Sequence, residues 1–250
     1  KPGEPYRHRL VLETERILRA NNYLYDAVIV PVAYDGQVVD LEVRTRDVWT
    51  LNPGISFSRS GGENTFAAQL QEDNLLGTGQ KIDLEWESDV DRESLALTCF
   101  NPHFLESFTR LTATYIDSDD GNEMAFGLAR PFYALDVRRA GGVFLPDGER
   151  IDDGHQHGKG NGGFEHRDEY YEVHGGWSRG LQGGAVRRWT AGVTYERDQF
   201  EPSPDEVLGG PLPEDRELLY PWIGLEWVED NFQERVNQDQ ILRTEDVLVG

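Results

Sequence analysis

Three histidines and two aspartates crowd one stretch: His155 and His157 as a His-x-His pair, His166 downstream, and Asp152 and Asp153 just before. Imidazoles at that spacing with carboxylates nearby are a donor set for a zinc-type ion. The same stretch carries Gly158, Gly160, Gly162 and Gly163, and no second ligand cluster anchors it. The plainer reading is a wet, glycine-rich loop, so no metal is expected. Residues 158–163 also look like a phosphate loop, but lack the G-x-x-x-x-G-K-[ST] spacing. Two acidic pairs, Asp83/Glu85 and Glu196/Asp198, each sit two residues apart, which on a strand puts both carboxylates on one face. That is what a carboxylate-driven hydrolase needs, and equally what a charged sheet face needs. Cys99, the only cysteine, lies in an alternating segment and reads as a small apolar residue. No Ser-His-Asp order has a recognisable setting. The chain is not expected to be an enzyme, and no cofactor is expected.

The elements that must position these residues are strands. Of 250 residues, 38% are hydrophobic and 27 are glycine, with Trp, Tyr and Phe plentiful. That mix suits strands and turns more than packed helices. A formal charge of −22 repels phosphate backbones, so nucleic acid is not an expected partner. No run of 18 apolar residues exists, so no transmembrane helix is expected. Transmembrane strands need only about ten alternating residues and remain open.

Residues 1–7 read as a linker. From Arg9 to Asn21 the spacing predicts a helix with Leu10, Thr14, Ile17, Leu18 and Asn21 on one side. Two strands follow, Ala27–Tyr34 and Gln37–Thr45, joined by Asp35-Gly36, a strong hairpin signal. After Trp49 alternation predicts strands at 49–60, 63–73, 80–90, 93–103, 107–118, 122–133, 136–145, 168–178, 185–198 and 217–229. Some connections are short, such as Leu75–Gly79 and Phe104–Glu106. Two are long, 146–167 and 199–216, and read as external loops. Short turns at one end and long loops at the other suit an outer-membrane barrel. Ile82, Leu84 and Trp86 share one face against Asp83, Glu85 and Glu87, and Leu111, Ala113 and Tyr115 share another. The six tryptophans lie in or at the ends of strands, and a membrane girdle would place aromatics in two bands. Arg187 and Arg188, on opposite strand faces, would bracket a membrane interface or pair with inner carboxylates.

With Asn74-Leu75-Leu76-Gly77-Thr78-Gly79-Gln80 after an alternating strand, the sequence resembles the BamA/TamA-like outer-membrane proteins, which carry POTRA modules ahead of a 16-stranded barrel. Ile17–Ala27 resembles a POTRA helix entering its penultimate strand, with Asn22 where a glycine is usual. Val38–Thr45 resembles the last POTRA strand, and Asp47–Gly54 the crossing into the barrel. Phe100–Phe104 is similar to a later turn of that barrel. The family's arginine-containing lumen motif has no match. The resemblance therefore implies a fragment: residues 1–47 as the C-terminal part of a POTRA-like module, and 48–250 as the first portion, about ten strands, of an antiparallel up-and-down transmembrane β-barrel.

What the resemblance implies for function is assistance in inserting or translocating other proteins at the bacterial outer membrane. Its partners would be outer-membrane lipid, unfolded or extended β-protein clients, and periplasmic partner proteins. The client-pairing edge would be the backbone around Ile55, Ser56, Phe57 and Ser58. The lipid-facing set would be Ile82, Leu84, Trp86, Leu111, Ala113 and Tyr115. Two other classes stay open on the residues alone: a soluble β-sheet module binding glycans or proteins, and the carboxylate hydrolase. The face of 80–90 and 107–118 that meets water separates them.

Overall fold

The computed structural model describes residues 5–60, 63–90, 92–156, 159–203, 210–237 and 243–249. The chain begins with helix α1 (His8–Arg19), followed by the hairpin β1 (Leu24–Tyr34) and β2 (Val39–Asp47). The hairpin turns where Asp35-Gly36 predicts. Gly36 takes φ 95°, and the Asp35 carboxylate accepts the N–H of Gln37 (2.9 Å) and of Val38 (2.7 Å). These bonds favour the charged carboxylate and hold its pKa below the ordinary value.

The face of α1 that the alternation predicts is not the buried one. Val11, Glu15 and Arg19 are buried, while Leu10, Ile17 and Leu18 are half-buried. The two charged residues go inside because β1 gives them backbone partners. Glu15 accepts the Ile29 N–H at 2.6 Å, and Arg19 donates to the Ala27 carbonyl at 3.0 Å. Hydrophobic periodicity cannot register a buried residue held by hydrogen bonds. The helix ends as Asn21 folds its amide back onto the Ile17 and Leu18 carbonyls at 3.1 and 3.0 Å.

Ten strands then form one antiparallel sheet in strict sequence order: β3 (Leu51–Ser60), β4 (Glu63–Glu72), β5 (Lys81–Ser88), β6 (Glu93–Phe104), β7 (Thr109–Ser118), β8 (Gly121–Arg130), β9 (Arg139–Gln156), β10 (Lys159–Ser178), β11 (Ala185–Pro202) and β12 (Arg216–Glu229). This is an up-and-down meander. It is open, with β3 and β12 at its edges. No helix among the described residues is long and apolar enough to cross a membrane, which says nothing of strands.

Two features depart from the sequence reading. Residues 146–167 are largely strand: β9 continues through Gln156, and β10 starts at Lys159 and pairs with it, with one register shift between Gly160 and Gly163. Alternation of apolar residues fails there. Cross-strand charge pairs replace it, with the Arg150 guanidinium binding Asp168 and Arg167 reaching Asp147 at 3.6 Å. Of the other long connection, 204–209 lies outside the described residues, and β11 already extends to Pro202.

The second departure follows β12. The chain makes a further hairpin, β13 (Phe232–Val236) and β14 (Thr244–Leu248), which docks on α1. Asp246 grips Arg19 through two bonds of 2.8 and 2.7 Å. Arg243 donates to the carbonyls of Arg19 (3.2 Å), Asn21 (2.6 Å) and Leu24 (3.3 Å). It thereby caps the C-terminus of a helix more than two hundred residues away.

Candidate functional site

The sheet's two faces are chemically opposite. Register carries one set unbroken from edge to edge. Ile55 and Phe57 stand opposite Ala68 and Phe66, and Ala68 and Leu70 opposite Trp86 and Leu84. Ile82 and Leu84 meet Cys99 and Leu97, which meet Ala113 and Tyr115. Leu111, Ala113 and Tyr115 meet Leu128, Phe126 and Met124. The run continues through Leu128–Val143, Val143–Val173 and Val173–Val193 to Pro221 and Ile223. All six residues expected to face lipid lie on this one outward surface. Tyr115 is 46% exposed and Leu84 40%, while Ile82, Trp86, Leu111 and Ala113 are half-exposed.

Nothing among the described residues lies over that face. Among the described residues the buried apolar side chains are Val11, Leu24, Ala27, Ala134, Leu135 and Val186, a core far too small for so long a sheet. On β12 the outward run Leu219 to Trp227 covers nine positions, inside the span of about 9–11 residues that a tilted membrane strand needs.

Aromatic rings mark both borders of the run. The connections do not divide into short turns at one end and long loops at the other, since 131–138 and 179–184 are longer than 119–120 and 157–158 at the opposite end. At the end where β8 joins β9 and β10 joins β11, Trp177 stands opposite Trp189, and Trp227 lies beside them on β12. Toward the other end, Tyr171 and Tyr195 stack at 5.9 Å, and Phe66 packs on Trp86 at 5.5 Å. Past this second border the outward face becomes charged, with Asp147, Arg167, Glu169 and Arg197.

The opposite face is polar and internally bonded. Thr98 and Thr114 share a bond of 3.1 Å, and Asp83 takes Gln69 at 2.8 Å and Lys81 at 3.2 Å. Glu172 gathers Tyr170 (2.9 Å), His174 (3.1 Å) and Thr194 (3.4 Å), and Trp222 donates to Thr194 at 3.1 Å. Glu196 accepts the Tyr220 hydroxyl at 2.6 Å, and Asp198 is taken by Arg216 at 2.8 Å and by His166 at 3.2 Å. Of the acidic pairs that a hydrolase would need, Asp83, Glu196 and Asp198 are engaged by side chains of the same sheet, and Glu85 is exposed.

The structure brings Asp152 and His166 together at 2.8 Å, with Arg150 bonded to Asp152 at 3.0 Å and to Asp168. The positive charge among these carboxylates is thus the protein's own guanidinium. Among the described residues, no three or more His, Cys, Asp or Glu are placed to hold a metal ion. His157 and the side chains of Asp153 and His155 lie outside the described part of the structure.

The client-edge residues lie on β3, whose outer side carries no strand among the described residues. Ile55 is 80% exposed and Phe57 67%, both on the outward face, while Ser56 and Ser58 point to the polar face. The turn after β4 is held by its own sequence. Asn74 Oδ1 accepts the Gly79 N–H at 2.7 Å, and Leu75 N–H reaches the Gln80 carbonyl at 2.8 Å. Gly79 takes φ 72°, and a Cβ there would stand 3.1 Å from the ring of Tyr23, so the turn seats directly on the N-terminal hairpin.

No family model matches the sequence, and no curated protein matches it. Among solved structures the chain is similar to the crystal structure of BamA from Haemophilus ducreyi lacking POTRA domains 1-3, at 14% identity and a TM-score of 0.44. The match covers 80% of this chain and 51% of that one, so the chain spans about half the length of its solved neighbour. A likeness that distant carries no weight for fold or function.

Proposed function

We propose that the ten-stranded sheet is part of a transmembrane β-barrel of the bacterial outer membrane, which helps insert or translocate other β-proteins. One observation carries the membrane half of this reading: an apolar face continuous over ten strands, bordered by aromatics, with none of the described residues over it. In water such a face would be many times larger than the few hundred Å² that soluble monomers tolerate. In hydrocarbon it is the expected exterior, and the polar face becomes the wall of a watery lumen. A soluble sandwich would need a second layer about 10 Å above the apolar face.

The insertion half is supported by the β3 edge and by the resemblance carried by the N-L-L-G-T-G-Q turn. An edge strand offers unpaired N–H and C=O groups to an incoming strand, a pairing known as β-augmentation. Ser56, Ser58 and the Pro53-Gly54 break keep that pairing weak enough to be exchanged. Periplasmic partner proteins would meet the α1–β1–β2 end.

The membrane half is tested with arginine substitutions in the full-length protein. Leu84→Arg or Ala113→Arg places a charge in hydrocarbon, costs about 2–4 kcal/mol near the midplane, and impedes membrane assembly. Thr112→Arg points into the lumen and is tolerated. Equal tolerance of all three would overturn the reading. The insertion half is tested with a photo-crosslinker at Ser56 or Ser58. It should capture client β-proteins during their assembly, and capture equal to that from a Thr112 probe would count against the edge.

A further inference from the structure

At the border of the apolar face where β8 joins β9 and β10 joins β11, four arginines point outward: Arg130 ends β8, Arg139 begins β9, Arg179 follows β10, and Arg187 lies near the start of β11. They are interleaved with the tryptophan border. Arg139 stands opposite Trp177, and Arg187 opposite Trp227. The Arg187 guanidinium lies 4.4 Å from the Trp227 ring centre, and that of Arg179 lies 5.8 Å from Trp177. All four arginines are exposed, and among the described residues none is within ion-pair distance of a carboxylate. In a chain with 46 acidic and 24 basic residues, four unpaired cations on one rim are not a background distribution.

The far border is the reverse. There Arg167 sits between Asp147 and Glu169, at 3.6 Å from each, and Arg197 lies 4.0 Å from Glu169. On the same face of β12 the nearest carboxylate is Glu229, two residues beyond Trp227 at the strand end. We propose that the Arg130–Arg139–Arg179–Arg187 rim binds the phosphate headgroups of anionic phospholipids in the leaflet at that border. This rests on the membrane reading above, since the rim continues the face assigned to lipid.

The chemistry fits that one occupant. A guanidinium matches two phosphate oxygens with a planar fork and gives up hydration more readily than an ammonium. Its aliphatic stem lies along apolar surface while the charge reaches the interface, and indoles prefer the same depth. The carboxylates at the far border would repel the same headgroups.

The full-length protein in detergent is equilibrated with equimolar phosphatidylglycerol and phosphatidylcholine of identical acyl chains, repurified, and its retained lipid counted. The expected result is a several-fold excess of phosphatidylglycerol that falls away in high salt. Arg130→Gln/Arg139→Gln/Arg179→Gln/Arg187→Gln should bring the ratio to parity, whereas Arg167→Gln/Arg197→Gln should leave it unchanged. Equal retention of both lipids by the parent, or an unchanged excess in the quadruple variant, overturns the proposal while leaving the membrane reading intact. Retention of neither lipid overturns both.

Discussion

Single residues set how closely neighbouring strands approach on the polar face. Gly192 lies under the Trp222 ring, and a Cβ there would meet two ring atoms at 2.6 and 2.7 Å and the Val173 carbonyl oxygen at 2.9 Å. The ring could swing away, but the backbone oxygen cannot. Moving the ring would also break the Trp222 bond to Thr194, itself part of the Glu172 cluster. Gly192→Ala is therefore expected to destabilise the folded sheet by about 1–3 kcal/mol. Urea unfolding checks this, and Gly175→Ala serves as control because its added Cβ meets nothing within 4 Å.

Between elements, α1 is joined to the β13–β14 hairpin by the Arg19–Asp246 ion pair. Burial lowers the readiness of the Arg19 side chain to hold its proton, but the bonds to Asp246 outweigh this and raise its pKa. Arg243 is shifted down by burial, its main partners being carbonyls. Removing Asp246 alone would leave the buried guanidinium with only the more exposed Glu234, at 3.0 Å, as counter-charge, a loss of about 1–3 kcal/mol. Asp246→Ala should therefore speed amide exchange along His8–Arg19, with β5 to β8 unaffected. Arg19→Met/Asp246→Leu removes both charges and should restore much of the protection. Unchanged exchange in Asp246→Ala would mean that β13–β14 does not hold the helix. The hairpin also presents the Phe232 ring to the Arg16 guanidinium at 4.3 Å, so the junction has an apolar side that the double variant keeps.

For the whole molecule, the arrangement of the edges limits how the sheet can be completed. With ten strands in an up-and-down order, β3 and β12 run antiparallel to each other. They can pair directly or through an even number of further strands, and either keeps the apolar face outward. Under the proposed function, lipid on one face and water on the other is then a property of the entire surface. With Cys99 replaced by Ser, a cysteine at 112 in intact membranes should react with a water-soluble thiol reagent, and one at 113 should not. Strong reaction at 83 and 85, with 82 and 84 shielded when neither lipid nor detergent is present, would instead mean a soluble sheet.

The order of the ten strands was legible in the sequence because each carries its own period-two alternation between turn residues, and an up-and-down order needs only neighbours to pair. The sidedness was legible for the same reason. Ile82, Leu84 and Trp86 share a face with Leu111, Ala113 and Tyr115 because antiparallel register preserves parity from strand to strand. What alternation could not carry was decided by the tertiary structure. The β9–β10 extension is held by charge pairs between strands, which appear only once the register is fixed. Glu15 and Arg19 are buried because β1 supplies backbone partners, and no pattern within α1 encodes those. The unpaired arginines of the rim are spread over Arg130 to Arg187. They become one surface only because antiparallel meandering returns successive strand ends to the same border.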